Sequence, residues 1–249
     1  MLKIENFDVM GWEHAIRGMR NPMNSWGKSD SDYRPILCKR CDNCMSYQLG
    51  HWEDCEKCEV WKIASSHKGF MVGPNDHDLM TRLRNAGTDH RKFMRMITVY
   101  LDITAPLYWW KEFDTYKVAT VANSCSTMHK IGDKEFTLDD FSHEHLFHNV
   151  NDTEMWLDVD FFNVLDNTIF YLNKARELYL KTHDKKYWWQ MIQLLPSSYN
   201  QKRTVMLNYE VLANIYKSRR HHKLDCWHTL CDFIEELPYS ELITGEEYE

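Results

Sequence analysis

Five of the eight cysteines stand between positions 38 and 58: Cys38, Cys41, Cys44, Cys55 and Cys58, in the pattern C-x2-C-x2-C-x10-C-x2-C. Two CxxC knuckles separated by about 10–15 residues can place four thiolates around a tetrahedral metal. Their surroundings, residues 27–75, are polar and weakly periodic. So little apolar surface cannot fold alone, and a metal would supply the missing stability. Cys55 and Cys58 make one knuckle; the other is Cys38/Cys41 or Cys41/Cys44, with His51 as a substitute ligand. Structural Zn2+ is the expectation, because four thiolates leave no open coordination position. An iron–sulfur cluster and free or redox-paired thiols are the alternatives. The segment therefore reads as a zinc-knuckle-like insertion between Lys28-Ser29-Asp30-Ser31-Asp32 and Gly73-Pro74-Asn75, and the core must come from the rest of the chain.

The rest is sufficient for that. The 249 residues are 43% apolar and 14% aromatic, enough for one large domain with the insertion. With only 9 Gly and 6 Pro, the composition points to a helix-rich globule. Mean hydropathy is −0.59, and no apolar run approaches the ~18 residues of a membrane span. The first ten residues carry Glu5 and Asp8 and no apolar h-region, so a secretory signal is not expected. The expected compartment is the reducing cytoplasm, which disfavours a disulfide framework. A net charge of −7 argues against general coating of DNA or RNA.

Periodicity predicts a strand over Lys3–Val9 and a helix around Trp12–Met19. Asn75 or Asp76 is the expected N-cap of a helix carrying Leu79, Met80 and Leu83, which Gly87 can end. A short helix carries Phe93 and Met94. Ile97, Val99, Leu101 and Ile103 alternate like a strand, and Ala105-Pro106 suits the first turn of a helix bearing Tyr108, Trp109, Lys111, Glu112 and Phe113. Asp139–His148 is a polar loop whose His143, His145 and His148 are a weak metal candidate. Val159–Leu180 is the longest helical pattern. Asp184 caps a further helix that stops at Pro196, Arg203–Leu207 is a short strand, and Asn208–Arg220 and Leu224–Leu237 are two more helices. The acidic end from Glu235, including a tail at 238–249, is expected to be solvated.

Three stretches, in order, resemble the flavin-dependent thymidylate synthases. Leu195-Pro196 is followed by Asn208, Asn214 and Arg219 at the family's spacing. Ala105-Pro106 precedes Thr115-Tyr116-Lys117, where the family carries Arg-His-Arg, and then Asn123-Ser124-Cys125-Ser126-Thr127-Met128-His129, which resembles its xxSxNxxSxRY signature. Ala15-Ile16-Arg17-Gly18-Met19-Arg20 resembles its early Ala-Arg-x-Ser helix. The resemblance spans residues 1–26 and 76–237, and implies a helix-rich α+β fold with a small sheet.

By that resemblance the protein is an enzyme that methylates dUMP to dTMP. It would use FAD, with NADPH and methylenetetrahydrofolate as co-substrates, as a homotetramer. Arg219 and Ser126 are the implied catalytic residues. Ser124, Ser126, Arg219 and Arg20 would bind the nucleotide, and Lys117, Tyr116, Asn123, Asn208 and Asn214 the flavin. Arg219 would polarise a uracil carbonyl or hold the phosphate. The departures matter too. Of Arg-His-Arg only a final cation survives, as Lys117, and the family's Arg before the Leu-Pro is replaced by Gln190, Ile192 and Gln193. Phosphate favours the arginine fork, so lost cations leave two alternatives: a sister enzyme that alters another pyrimidine nucleotide, for instance by hydroxymethylation, or a non-catalytic binding protein on the same scaffold. Without a ligand, Asn208 is a helix cap, Asn214 a solvated polar residue, Ser124 and Ser126 turn residues, and Arg219 a cation favoured by a helix C-terminus.

Overall fold

The computed structural model describes residues 2–35, 68–147, 150–152 and 157–245. The five clustered cysteines, His51 and His148 lie outside the described residues. In chain order the elements are β1 (Lys3–Met10), α1 (Trp12–Arg20), β2 (Asp32–Pro35), β3 (Lys68–Met71), α2 (Pro74–Asn85), β4 (Thr98–Pro106) and α3 (Leu107–Phe113). They continue with β5 (Val121–Ser124), α4 (Thr127–Lys130), β6 (Val150–Asp152), β7 (Leu157–Val159) and α5 (Phe161–Thr182). Last come α6 (Lys185–Leu194), β8 (Asn200–Asn208), α7 (Tyr209–Arg219), α8 (Asp225–Glu235) and α9 (Glu241–Thr244). The chain divides into two compact units, Met1–Val9 with Thr98–Glu249, and Met10–Ile97.

The larger unit is built on a four-stranded sheet in the order β1-β4-β8-β5. β4 and β8 pair antiparallel from Thr98↔Asn208 to Pro106↔Asn200. The expected alternation is present: Val99, Leu101, Ile103 and Ala105 are buried, as are Val205 and Leu207 on β8. Each large apolar side chain so placed is worth about 1.5–3 kcal/mol. On the alternate positions a polar network joins three strands. Asp102 accepts from Thr204 Oγ1 at 2.6 Å and Asn6 Nδ2 at 3.0 Å, and pairs with Lys202 at 3.2 Å. These partners, Thr204 first, hold its carboxyl at about 2. Trp109, Trp110, Phe113 and Trp227 form an aromatic core with ring centroids 4.8–5.1 Å apart around Trp109. A second core packs the α5–α6 pair, with Leu165, Leu172, Ala175 and Met191 against Ile131, Phe136 and Phe141.

Several local expectations are revised in this unit. Ala105-Pro106 ends β4 instead of opening a helix, and α3 starts at Leu107. The turn at Pro196 makes that start possible. Its carbonyls at Tyr199 and Ser197 accept the amides of Leu107 and Tyr108, each at 3.0 Å, which satisfies two of the helix's orphan donors. Residues 121–124 form edge strand β5 on β8, so Ser124, expected in a turn, is a strand residue. The C-terminal end is not wholly solvated: Leu237, Leu242 and Ile243 are buried and α9 packs on α7.

In the smaller unit α1 buries Trp12, Ala15, Ile16 and Met19. Gly11 precedes it at φ +96°, and a Cβ there would stand 2.1 Å from the Met96 carbonyl oxygen. No other residue fits. α2 is capped differently from expectation. Gly73 is its N-cap and Pro74 its first residue, the position proline favours. Its amides at Asn75 and Asp76 are received by the carboxylate of Asp30 at 2.9 and 3.1 Å. Asp76 is turned inward. Its buried carboxylate accepts from Arg20 Nε and from the Ser29 and Ser31 hydroxyls, each at 2.6 Å, and from the amides of Asp30 and Ser31 at 3.1 Å. Burial alone would push this carboxyl up; the two hydroxyls and Arg20 outweigh it and hold it below the usual carboxylate range. β2 and β3 pair antiparallel with Pro35 opposite Lys68.

Candidate functional site

Arg219 ends α7, where the helix dipole favours a cation, and its guanidinium is held on two edges and one face. Nε donates to Tyr116 Oη at 2.9 Å and Nη1 to Glu112 Oε2 at 2.8 Å. The guanidinium carbon lies 4.6 Å from the ring centre of Trp227 and 5.7 Å from that of Tyr116. The Trp227 indole N–H also donates to Glu112 Oε2, at 2.9 Å, and His222 Nε2 stands 3.5 Å from the same oxygen. Among the described residues Nη2 of Arg219 has no hydrogen-bond partner. The side chain is 18% exposed, so a ligand that reaches it meets a donor already fixed in place.

A second arginine, Arg203, is fixed against Trp110 of α3 and against Asp114, the residue that follows the helix. Arg203 on β8 donates from Nε to Gln201 Oε1 at 2.9 Å and from Nη1 to Asp114 Oδ1 at 2.8 Å, with its guanidinium carbon 4.2 Å from the Trp110 ring centre. It stands opposite Ser124 in the β5–β8 ladder. Arg203 is thus bonded to Asp114, and Arg219 to Tyr116 two positions further along the chain. Lys117, next to Tyr116, is exposed, as are Asn123 and Ser124.

The other expected site residues are placed as follows. Ser126 is exposed, and its hydroxyl accepts the His129 amide at 3.0 Å, capping α4. Asn208 is 5% exposed, and its side-chain oxygen takes the Val211 amide at 3.0 Å, capping α7. Asn214 is an exposed position of α7. Arg20 belongs to the smaller unit. It is 4% exposed, paired with Asp76, and its Nη1 lies 3.3 Å from both the carbonyl and hydroxyl oxygens of Ser25. Helix capping thus accounts for Asn208, and the buried ion pair for Arg20, without a ligand. His145 pairs with Asp225 at 3.0 Å, and His143 Nδ1 lies 2.8 Å from the Phe141 carbonyl. Among the described residues no group of three His, Cys, Asp or Glu side chains converges as metal ligands, and no helix is long and apolar enough to cross a membrane. Sequence reasoning did not single out Glu112 and Trp227 as site residues. They stand 107 and 8 positions from Arg219, and no local motif links them.

No protein-family model matches the chain, and no curated protein matches it. Solved structures do. Thymidylate synthase X (ThyX) from Helicobacter pylori, solved with FAD and dUMP, superposes with a TM-score of 0.58 at 14% identity, covering 98% of both chains. The UMP/dUMP methylase PolB from Streptomyces cacaoi, bound with 5-Br dUMP, gives 0.53 at 11% identity, covering 98% of this chain and 95% of its own. The fold is therefore ThyX-like, a helix-rich α+β architecture with a small antiparallel sheet.

Proposed function

We propose that the protein is a flavin-dependent enzyme that methylates a pyrimidine nucleotide, dUMP to dTMP in the first instance. One observation carries the reading. Within a ThyX-like fold, Arg219 is hydrogen-bonded to Tyr116, at the head of the segment that leads to Asn123–Ser126. Glu112 offsets the charge of Arg219, and two of its three nitrogens already donate to protein groups. What remains is a directed N–H donor. It suits a neutral carbonyl such as that of uracil better than a phosphate dianion, which calls for a free arginine fork. Ser124 is offered for the phosphate, with Ser126 and its turn beside it; Arg203, like Arg219, has two nitrogens already donating to protein groups and, among the described residues, keeps only Nη2 for a ligand.

The donor set fits a flavin in part. Lys117, Asn123, Asn214 and the Tyr116 hydroxyl are at least partly accessible and would hold it, whereas Asn208 is occupied as a cap. Bound and reduced, FAD would supply the hydride that methylenetetrahydrofolate chemistry requires, with NADPH as the reductant. The chain's own work is to hold the pyrimidine against the cofactor and to fix the donor at Arg219 before the ligand arrives. Zn2+ at Cys38, Cys41, Cys44, Cys55 and Cys58 and assembly as a homotetramer in the cytoplasm are part of the same proposal. The pairing of β2 with β3, which sets Pro35 opposite Lys68, supports reading the Cys-rich segment as an insertion.

The replacement of Arg-His-Arg by Thr115-Tyr116-Lys117 favours a second reading, a sister enzyme acting at another pyrimidine nucleotide. Incubation with FAD, NADPH, methylenetetrahydrofolate and either dUMP or dCMP, read by product mass, tests both. A 14 Da gain on dUMP, lost in Arg219→Ala, supports the first reading. Modification of dCMP alone supports the second, and no product from either overturns both. Metal analysis of the purified protein, with zinc near one equivalent expected, tests the cysteine cluster.

A further inference from the structure

We infer that Glu112 is the positioning residue of this site. It acts through Arg219 and is not itself a ligand of the nucleotide. The inference rests on the functional reading above and deepens it. Glu112 Oε2 is the shared acceptor for Arg219 Nη1, the Trp227 indole N–H and, at longer range, His222. Trp227 is wholly buried, so its N–H has a fixed position, and the carboxylate that receives it is fixed in turn. Arg219 is then clamped between an immovable ring face and a carboxylate held by that ring's own donor. His222 completes the arrangement. Its Nδ1 accepts the Leu224 amide at 3.2 Å, which leaves the hydrogen of the neutral ring on Nε2, facing Glu112.

A free arginine side chain samples many rotamers, and ordering it at the moment of binding weakens affinity; holding it beforehand removes that cost. Nη2 is the part of the guanidinium that this clamp leaves unbonded among the described residues. Glu112 thus selects which nitrogen faces a ligand. α3 carries Glu112 to this place because its first two amides are anchored on the Pro196 turn.

The test uses the full-length protein and its Glu112→Gln and Glu112→Ala variants, with two readouts and dUMP as the probe. The first is NMR relaxation of the Arg219 Nε–H group without ligand. It is rigid in wild type and Glu112→Gln, which keeps an oxygen acceptor, and mobile in Glu112→Ala. A rigid Arg219 in Glu112→Ala overturns the proposal. The second is dUMP affinity by calorimetry, expected within about threefold of wild type for Glu112→Gln and about tenfold weaker for Glu112→Ala. A Glu112→Ala protein with a lowered melting temperature but wild-type affinity makes Glu112 merely structural and overturns the proposal. A wild type that binds no dUMP overturns the functional reading and the ligand named with it. The NMR arm still decides whether Glu112 holds Arg219.

Discussion

Removing the carboxylate of Asp76 should be the most damaging single change in the smaller unit. Arg20, 4% exposed, would be left with a buried charge lacking its counterion, a situation that costs about 3–5 kcal/mol. The Ser29 and Ser31 hydroxyls and the amides of Asp30 and Ser31 lose their acceptor as well. Each is worth about 1 kcal/mol where water cannot replace it. Asp76→Ala is therefore expected to cost about 3–5 kcal/mol where water takes over the four freed donors and about 7–9 kcal/mol where it does not, a large part of the 5–15 kcal/mol that holds a typical domain together. Arg20→Ala should cost less, about 2–3 kcal/mol, because Asp76 keeps its hydroxyl and amide donors. Replacing both, as Arg20→Met with Asp76→Leu, should cost less than Asp76→Ala alone, since no buried charge is stranded. Urea titration followed by circular dichroism measures the differences, and hydrogen exchange of the α1 amides localises them. The reasoning fails if Asp76→Ala lies within about 1 kcal/mol of wild type, or if Arg20→Ala proves the worse of the two.

Other outcomes follow from the same geometry. Asp102, held at about 2 by Thr204, Asn6 and Lys202, contributes stability that is complete above the ordinary carboxylate range and fades as pH falls through about 2. Asp76 acts in the same direction. Urea midpoints should drop as pH is lowered below about 4, and Asp102→Asn should flatten that slope; an unchanged slope would exclude Asp102 as a contributor. Gly11→Ala should destabilise by at least ~2 kcal/mol in a thermal melt, through positive φ and the collision with Met96; a wild-type melt would contradict the assigned backbone. Of the three described cysteines, exposed Cys125 should be alkylated in the native protein. Buried Cys226 and Cys231 should be spared, burial having pushed both thiols up, Cys231 to about 11. Peptide mass mapping after brief treatment with iodoacetamide distinguishes them.

Regular elements that carry their own pattern were legible in the sequence. The alternation from Val99 to Ile103 marks β4, and the 3.6 period marks α5, found at Phe161–Thr182. Asp184 caps α6, and Asn208 opens α7. What escaped depends on partners far along the chain. β5 has no buried face and so no alternation; only its pairing with β8 makes it a strand. Asp30 caps a helix that begins 44 positions later, at Pro74, and Asp76, which looked like a cap, serves a buried arginine instead. Ala105-Pro106 resembles a helix start until β8 is placed beside it, when Pro106 becomes the last rung of the ladder. At the site, Arg219 and Tyr116 came from the family resemblance, and the structure places them in contact. Glu112 and Trp227 hold no motif position and emerge only when α3 and α8 meet. Arg20, expected as a ligand, has a structural duty that a linear pattern does not reveal, whereas Asn208 takes the capping role that the sequence also offered it.

The most direct test is an absorption titration of the purified protein with FAD, followed by dUMP. Uptake of FAD with a perturbed band near 450 nm, shifted again by dUMP in wild type but not in Arg219→Ala, is the expected result (~450 nm being the ordinary flavin transition). A protein that takes up no FAD, or whose flavin band ignores dUMP, would contradict the assignment.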